Sequence, residues 1–339
     1  MAEVIPIDAA GREEAGRCIA QTKDGRRCRN PAADESGLCR VHLRRERPPA
    51  AKPEGPERVG PFEAEAVEEL ITFLRRRLVG EYEVDEFGFD PELTERILAP
   101  LARIFHRHYF RVDWQGLENV PAEGPALLVA NHAGTIPMDA VIMKFGVLDE
   151  HPAHRHVRLL AADLAFRMPF IGQLARKSGN TLACDEDALR LLKKGELLGV
   201  FPEGYKGVGK HFRDRYKLQR FGRGGFIEIA LRAQVPIIPV SIIGSEEIYP
   251  LISQAKPVAR IFNLPYFPIT PFFPWLGPLG ALPLPTKWRV QFGEPIHTER
   301  YDADAWQDAL TVFDLTDHVR DEIQQMLYRN LMARRSIFW

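Results

Sequence analysis

The chain has 339 residues, enough for one large domain or two ordinary ones, and its 45% hydrophobic content supports a substantial core. Its 45 basic and 46 acidic residues leave a formal net charge of -1, so no global electrostatic pull toward nucleic acid exists. Met1 to Arg12 has neither a basic start nor an apolar run, and no uncharged helix-compatible stretch is long enough to span a bilayer. Neither a secretory signal nor a transmembrane helix is expected.

Residues 1–45 are polar, basic and rich in cysteine. Cys18, Cys28 and Cys39 precede His42, and the close Cys39/His42 pair has good chelate spacing. Without an export signal, clustered cysteines suggest metal before disulfide. Three thiolates and an imidazole complete a tetrahedral zinc shell, and the segment has too few apolar residues to fold on a core of its own. The stretch resembles a small Cys3His zinc-binding module, with "TKDGRRC" its most telling part. Such a zinc is structural, because four protein ligands close the site. Cys184 stands apart and reads as a small buried hydrophobe. A Pro- and charge-rich linker follows at 46–61, and a third region runs over 62–339.

That region opens with an amphipathic helix over Phe62 to Leu78, built on Val67, Leu70, Ile71, Phe73 and Leu74. Its "RRR" edge allows either a core-packing helix or one lying on anionic lipid. A second helix is predicted over Pro91 to Tyr109, with Asp90 as its cap and Pro91 at its first position. The pattern then changes. "FRVDWQGLENV" reads as strand and turn, "PALLVANH" as a buried strand, and "VRLLAADLAF" as strand or strand into helix. Glu186 to Lys194 reads as helix, "LLGVFPEG" as a strand into a glycine turn, "GGFIEIALRAQ" as helix and "VPIIPVSIIG" as another buried strand. "KWRVQFGEPI" is a late strand, and Thr316 to Ala333 a closing amphipathic helix. Apolar strands alternating with helices imply an α/β fold with a mixed, largely parallel sheet flanked by helices.

Four stretches carry candidate chemistry: "NHAGTIPMD" from Asn131, "KSGNTLAC" from Lys177, "FPEGYKG" from Phe201 and "VPIIPVSIIGSEE" from Val235. Together and in this order they resemble the glycerolipid acyltransferase family, the lysophosphatidic-acid-acyltransferase-like enzymes, over roughly Tyr109 to Ile296. "FPEGYKG" is the most specific of the four. The resemblance implies the glycerolipid acyltransferase fold. It also implies transfer of an acyl group from a thioester, acyl-CoA or acyl carrier protein, to an alcohol. His132 would be the general base and Asp139 its orienting carboxylate. The chemistry is sound in itself: an imidazole takes the proton of a weakly nucleophilic hydroxyl, and a carboxylate fixes the tautomer. No G-x-S-x-G elbow occurs, consistent with direct attack.

The family's usual spacing places four residues between His and Asp, a position held here by Pro137; six residues separate His132 from Asp139. On one continuous helix that separation would be about 10.5 Å. A loop from His132 to Ile136, ending where Pro137 opens a helix, would let the chain fold back. The resemblance also assigns Glu203, Gly204 and Lys206 to the acceptor's glycerol phosphate. Lys206 stands where arginine is usual, a point charge in place of a bidentate fork. The second motif lacks its usual arginine, with Asp185 following Cys184, and Arg176, Lys177, Arg220 and Arg223 are the candidate substitutes. Arg220 and Arg223 lie beside three glycines, a composition suited to anion binding before a helix. Pro236 and Pro239 match the fourth motif and would wall the acyl chain.

The expected acceptor is 1-acyl-sn-glycerol-3-phosphate in phospholipid biosynthesis. Acylation of a neutral alcohol, diacylglycerol or a wax alcohol, is the alternative; a non-catalytic lipid-binding scaffold is a third reading. Lipid substrates imply peripheral contact with a membrane surface from the cytoplasm. Ile261 to Pro285, uncharged and holding seven prolines, is either such a contact or a cover for the site.

Overall fold

The computed structural model describes residues 18, 20, 25, 26, 28–30, 32, 38, 39, 64–133, 135–168, 170–261 and 266–339. Two compact units are present, Met1–Glu81 and Tyr82–Trp339.

In the first unit, helix α1 spans Ala64–Leu78. Of the expected apolar face, Phe73 is buried but Ile71 and Leu74 are exposed.

The second unit is built on a seven-stranded sheet. Its strands are β1 (Asp113–Gln115), β2 (Ala126–Ala130), β3 (Val157–Ala161), β4 (Thr181–Leu182), β5 (Leu197–Val200), β6 (Ile237–Ile243) and β9 (Arg289–Phe292). The order is β1-β9-β6-β2-β5-β3-β4. Strands β6, β2, β5, β3 and β4 run parallel, β9 is antiparallel to β6, and β1 is parallel to β9. The sheet is thus mixed and largely parallel, as the alternation of elements implied.

The continuous apolar runs of β2, β5 and β6 follow from burial on both faces. Leu127, Val129, Leu198, Val200 and Ile237 face one layer, with helices α6 (Asp185–Lys193), α8 (Gly225–Ala233) and α10 (Ala309–Ala333). Ala126, Leu128, Ala130, Leu197 and Ile238 face the other, with α3 (Met138–Glu150). Each fully buried Leu or Ile contributes about 1.5–3 kcal/mol relative to exposure.

Helix α2, residues 91–109, starts where expected, with the Asp90 carboxylate accepting from the Leu93 N–H at 2.9 Å, but alternates between α and π turns. Arg103 and His106 on it grip Asp149 of α3, at 2.6–2.9 Å. "VRLLAADLAF" resolves into β3 and the short helix α4 (Asp163–Arg167), followed by α5 (Ile171–Lys177). Helix α10 begins earlier than Thr316, because the Asp308 carboxylate caps it at the Leu310 and Thr311 N–H groups. The one-turn helix α7 (Tyr205–Val208), the strand pair β7 (Ser253–Gln254) and β8 (Pro268–Ile269), and helix α9 (Lys256–Ile261) complete the unit. Among the described residues no helix is long and apolar enough to cross a membrane.

Candidate active site

Ligands in open α/β sheets bind beyond the carboxyl ends of parallel strands. Here three adjacent parallel strands end together and deliver one functional side chain each. His132 follows β2, Glu203 follows β5 and Glu246 follows β6. Asn131 extends the ladder past β2: its side chain donates to the Ile242 carbonyl at 3.0 Å and accepts from the Ile242 N–H at 2.7 Å. The residue before the histidine is thus stitched to β6.

The expected loop was His132 to Ile136; its described residues His132, Ala133, Thr135 and Ile136 lie outside any helix or strand, and α3 begins at Met138 with Pro137 at its cap. The loop folds back far enough for His132 Nδ1 to lie 2.8 Å from Asp139 Oδ2. Asp139 is fully buried and also accepts from the Ala133 N–H at 2.7 Å and the Ala140 N–H at 2.8 Å. The six-residue separation therefore leaves the pair in direct contact. A carboxylate only accepts, so Nδ1 carries the proton and Nε2 is left as the basic nitrogen. The ring packs on Phe201 with centroids 4.6 Å apart, and the side chain retains 14% exposure, which leaves it reachable.

Glu203 was expected at the acceptor site, but both of its oxygens are committed inside the protein. Oε1 accepts from the His132 backbone N–H at 2.9 Å. Oε2 accepts from the Gln219 N–H at 2.7 Å and lies 3.2 Å from Lys210 Nζ. Lys210 also reaches Glu246 Oε1 at 3.1 Å, so one buried ammonium is shared by two buried carboxylates. Burial is the largest influence on the Glu246 carboxyl and pushes it up to about 7, with the Glu203 charge adding to the rise and Lys210 opposing it. Glu203 braces the backbone of the histidine while Asp139 braces its ring.

The turn after β5 relies on two glycines for different reasons. Gly204 has φ +53° with open space around it, a conformation that side chains disfavour. Gly207 packs against the histidine: a Cβ there would lie 2.7 Å from the His132 carbonyl oxygen and 2.9 Å from its Cβ. On the other side of the loop, Tyr266 Oη donates to the Thr135 carbonyl at 2.5 Å. Burial, then the nearby Asp139, raises the Tyr266 phenol above its ordinary range, keeping it a neutral donor.

Lys206, Arg220 and Arg223 are exposed and form no ion pair among the described residues. Arg220 directly follows Gln219, whose N–H Glu203 holds, which sets this arginine near the histidine's brace. Arg176 and Lys177 are engaged elsewhere, Arg176 over the Phe166 ring and Lys177 over Tyr82. Pro236 immediately precedes β6 and Pro239 lies within it, paired in register with Val129. Lys210, Glu246, Gly207 and Tyr266 were not singled out from the sequence. Glu246 stood in the "IIGSEE" run, where an acid immediately after a buried strand was a usable signal; the others required the fold.

In the first unit, the sulfurs of Cys18, Cys28 and Cys39 lie within 4.8 Å of one another, with Cys28 Sγ and Cys39 Sγ 3.9 Å apart. Zinc–sulfur bonds of about 2.3 Å in a tetrahedron put sulfurs roughly 3.8 Å apart, so the trio fits a zinc ion. The Cys39 N–H donates to Cys18 Sγ at 3.2 Å. His42, the expected fourth ligand, lies outside the described residues.

The family model described as Acyltransferase matches residues 111–243, which contain His132, Asp139, Glu203, Lys210 and the whole of β6. An uncharacterized protein of Mycobacterium tuberculosis is 58% identical over 276 residues, covering 81% of this chain and 77% of that protein. A Mycobacterium leprae protein, also uncharacterized, is 55% identical over the same length. The "DGAT1/2-independent enzyme synthesizing storage lipids" of Gallus gallus is 30% identical over 210 residues, 62% of this chain and 57% of that enzyme. The crystal structure of the 1-acyl-sn-glycerophosphate (LPA) acyltransferase PlsC from Thermotoga maritima aligns with a TM-score of 0.49 at 19% identity, over 80% of this chain and 90% of that one.

Proposed function

The chain belongs to the acyltransferase family and is an acyltransferase, and from that premise we propose that it moves a fatty acyl group from a thioester, acyl-CoA or acyl carrier protein, to a glycerolipid hydroxyl. The observation that carries this reading is the 2.8 Å contact of His132 Nδ1 with buried Asp139, which leaves Nε2 as base at a reachable position. His132 Nε2 takes the acceptor's hydroxyl proton as the oxygen attacks the thioester carbonyl carbon. The tetrahedral adduct then collapses, the carbon–sulfur bond breaks, and the departing thiolate takes the proton from the imidazolium. Asp139 holds the ring and stabilises its charged form. No residue of the enzyme is acylated.

The acceptor is 1-acyl-sn-glycerol-3-phosphate, and the exposed cations Lys206, Arg220 and Arg223 would meet its phosphate. A second reading, a neutral acceptor such as diacylglycerol, has its own support. Lys210, a buried cation beside Glu203, is already engaged by the carboxyl groups of Glu203 and Glu246, and the Gallus gallus relative is named for storage lipids. The test offers both acceptors to the purified full chain with radiolabelled acyl-CoA, beside His132→Ala. Transfer to the phosphorylated acceptor, lost in the variant, is the expected result. Transfer to diacylglycerol alone moves the assignment to the neutral acceptor. Transfer that survives His132→Ala overturns the mechanism.

The cysteine trio is assigned a structural zinc, completed by His42. Zinc supplies no step of the acyl transfer; its ligands hold the segment's fold. Elemental analysis of the full chain should find about one zinc, and Cys28→Ser should release it. A chain that purifies without zinc and refuses added zinc would end that assignment.

A further inference from the structure

Between Ile248 and Gly293 the chain has no Asp or Glu, although it carries 46 elsewhere, and its only charges there are Lys256, Arg260, Lys287 and Arg289. This segment leaves the sheet after β6, at the edge that carries His132, and returns into β9. Its middle presents large apolar side chains to solvent: Ile261, Trp275, Leu279 and Leu282 are between 63% and 78% exposed. Single exposed hydrophobes are ordinary, but a cluster within one uncharged run marks an interaction surface.

The run is held in place despite its exposed side chains. Tyr249 Oη donates to the Ala281 carbonyl at 2.7 Å and Tyr109 Oη to the Pro283 carbonyl at 2.6 Å. Thr270 Oγ1 accepts from the Phe272 and Phe273 N–H groups, at 3.2 and 2.8 Å. The Leu284 N–H bonds to the Ile248 carbonyl at 3.0 Å, and Ile252 pairs with Ile269. These bonds satisfy backbone groups from within, leaving the side chains of Trp275, Leu279 and Leu282 to the outside. Tyr266, at the start of the same run, is bonded to the His132 loop through Thr135.

We propose that Ile261 and residues 266–285, flanked by Lys256, Arg260 and Lys287, form the surface by which this acyltransferase sits on an anionic lipid bilayer, with the entrance to His132 beside it. The proposal rests on the reading of a lipid substrate and names the place of contact. The apolar tips enter the headgroup boundary, where Trp is favoured. The exposed cations Lys256, Arg260 and Lys287 meet anionic headgroups. An irregular backbone keeps the contact shallow. The absence of acids throughout the segment suits a negative surface, and the exposed aromatic and aliphatic tips favour a bilayer over an acidic protein.

The test is flotation of the full chain with vesicles of phosphatidylcholine alone or mixed with phosphatidylglycerol. The variants are Trp275→Ser/Leu279→Ser and Lys256→Gln/Arg260→Gln; all four positions are exposed, and an unchanged melting temperature verifies folding. The full chain should float with mixed vesicles. Loss of the two apolar tips should weaken partition by about tenfold or more. Loss of the two charges should weaken it roughly fivefold per charge, on phosphatidylglycerol vesicles alone. Transfer between water-soluble short-chain substrates should be unchanged in both variants, and this separates the surface from the chemistry. Short-chain transfer absent from the wild type would count against the function while flotation still reported on the surface. A wild-type chain that stays unbound, or an apolar variant that floats equally well, overturns the proposal. So does self-association that the apolar variant abolishes while vesicles go unbound, because the face would then join two copies.

Discussion

Replacing Gly207 by Ala tests whether the turn after β5 sets the position of His132. The added Cβ would lie 2.7 Å from the His132 carbonyl oxygen, 2.8 Å from Glu203 Cβ and 2.9 Å from His132 Cβ. Relief to ordinary contact needs a shift of about 0.7 Å, because atoms held closer than roughly 3.4 Å repel steeply. Neither neighbour can yield as a loose chain end: one is backbone, and Glu203 is tied to His132, Gln219 and Lys210. Overpacking of this kind costs about 1–3 kcal/mol of stability. A displacement approaching 1 Å at the base costs up to about a hundredfold in rate. Gly207→Ala should therefore lower kcat by on the order of tenfold to a hundredfold, read with saturating acceptor and beside a thermal melt. Gly204→Ala is the matched control. Its Cβ meets nothing within 4 Å, but its positive φ is strained, so it should lose about 1–3 kcal/mol of stability while keeping kcat within a few-fold. Equal activity losses in the two variants, or a Gly207→Ala enzyme within about threefold of wild type, would refute the close-packing argument.

Asp139→Asn keeps the volume but supplies a poorer acceptor for the Ala133 N–H and His132 Nδ1; kcat should fall by roughly a thousandfold or more with little change in KM, and a loss under about tenfold would remove Asp139 from the mechanism. Glu246 makes a pH prediction. Its carboxyl is raised by burial from 4.5 to about 7, so the folded chain holds a proton that the unfolded chain releases between those values. That stabilisation, about 3 kcal/mol, is full below the unfolded value and is lost as pH rises through 7. Urea unfolding across this range should show Glu246→Gln gaining on wild type as pH increases and levelling above 7; parallel stability curves would contradict the assignment.

The buried strands were legible because burial on both faces leaves unbroken apolar runs, as in Leu127 to Ala130 and Ile237 to Ile243. The His132–Asp139 pair was legible as well, since a loop ending at Pro137 is the arrangement that reconciles the spacing with contact. The direction of Glu203 was not. The motif names a carboxylate but not its partners, and those come from Gln219 and Lys210, brought in after the one-turn helix α7. Lys210 reads in the sequence as one more solvated cation, and only the meeting of β5 and β6 across β2 makes it a buried bridge. The apolar side of α1 shows the opposite limit: helical spacing marks which residues share a face, not whether anything covers it.

The seam between β2 and β6 has a consequence for how the enzyme dies. Asn131 is locked to Ile242 through both ends of its amide, and the His132 N–H is held by a carboxylate anchored on the neighbouring strand. The histidine therefore sits in the last region to fray, with no cheap local opening that would unseat it. Heat should extinguish catalysis at the same temperature at which the sheet comes apart, and the amides of Leu128 to His132 should exchange with solvent only at the pace of whole-domain unfolding.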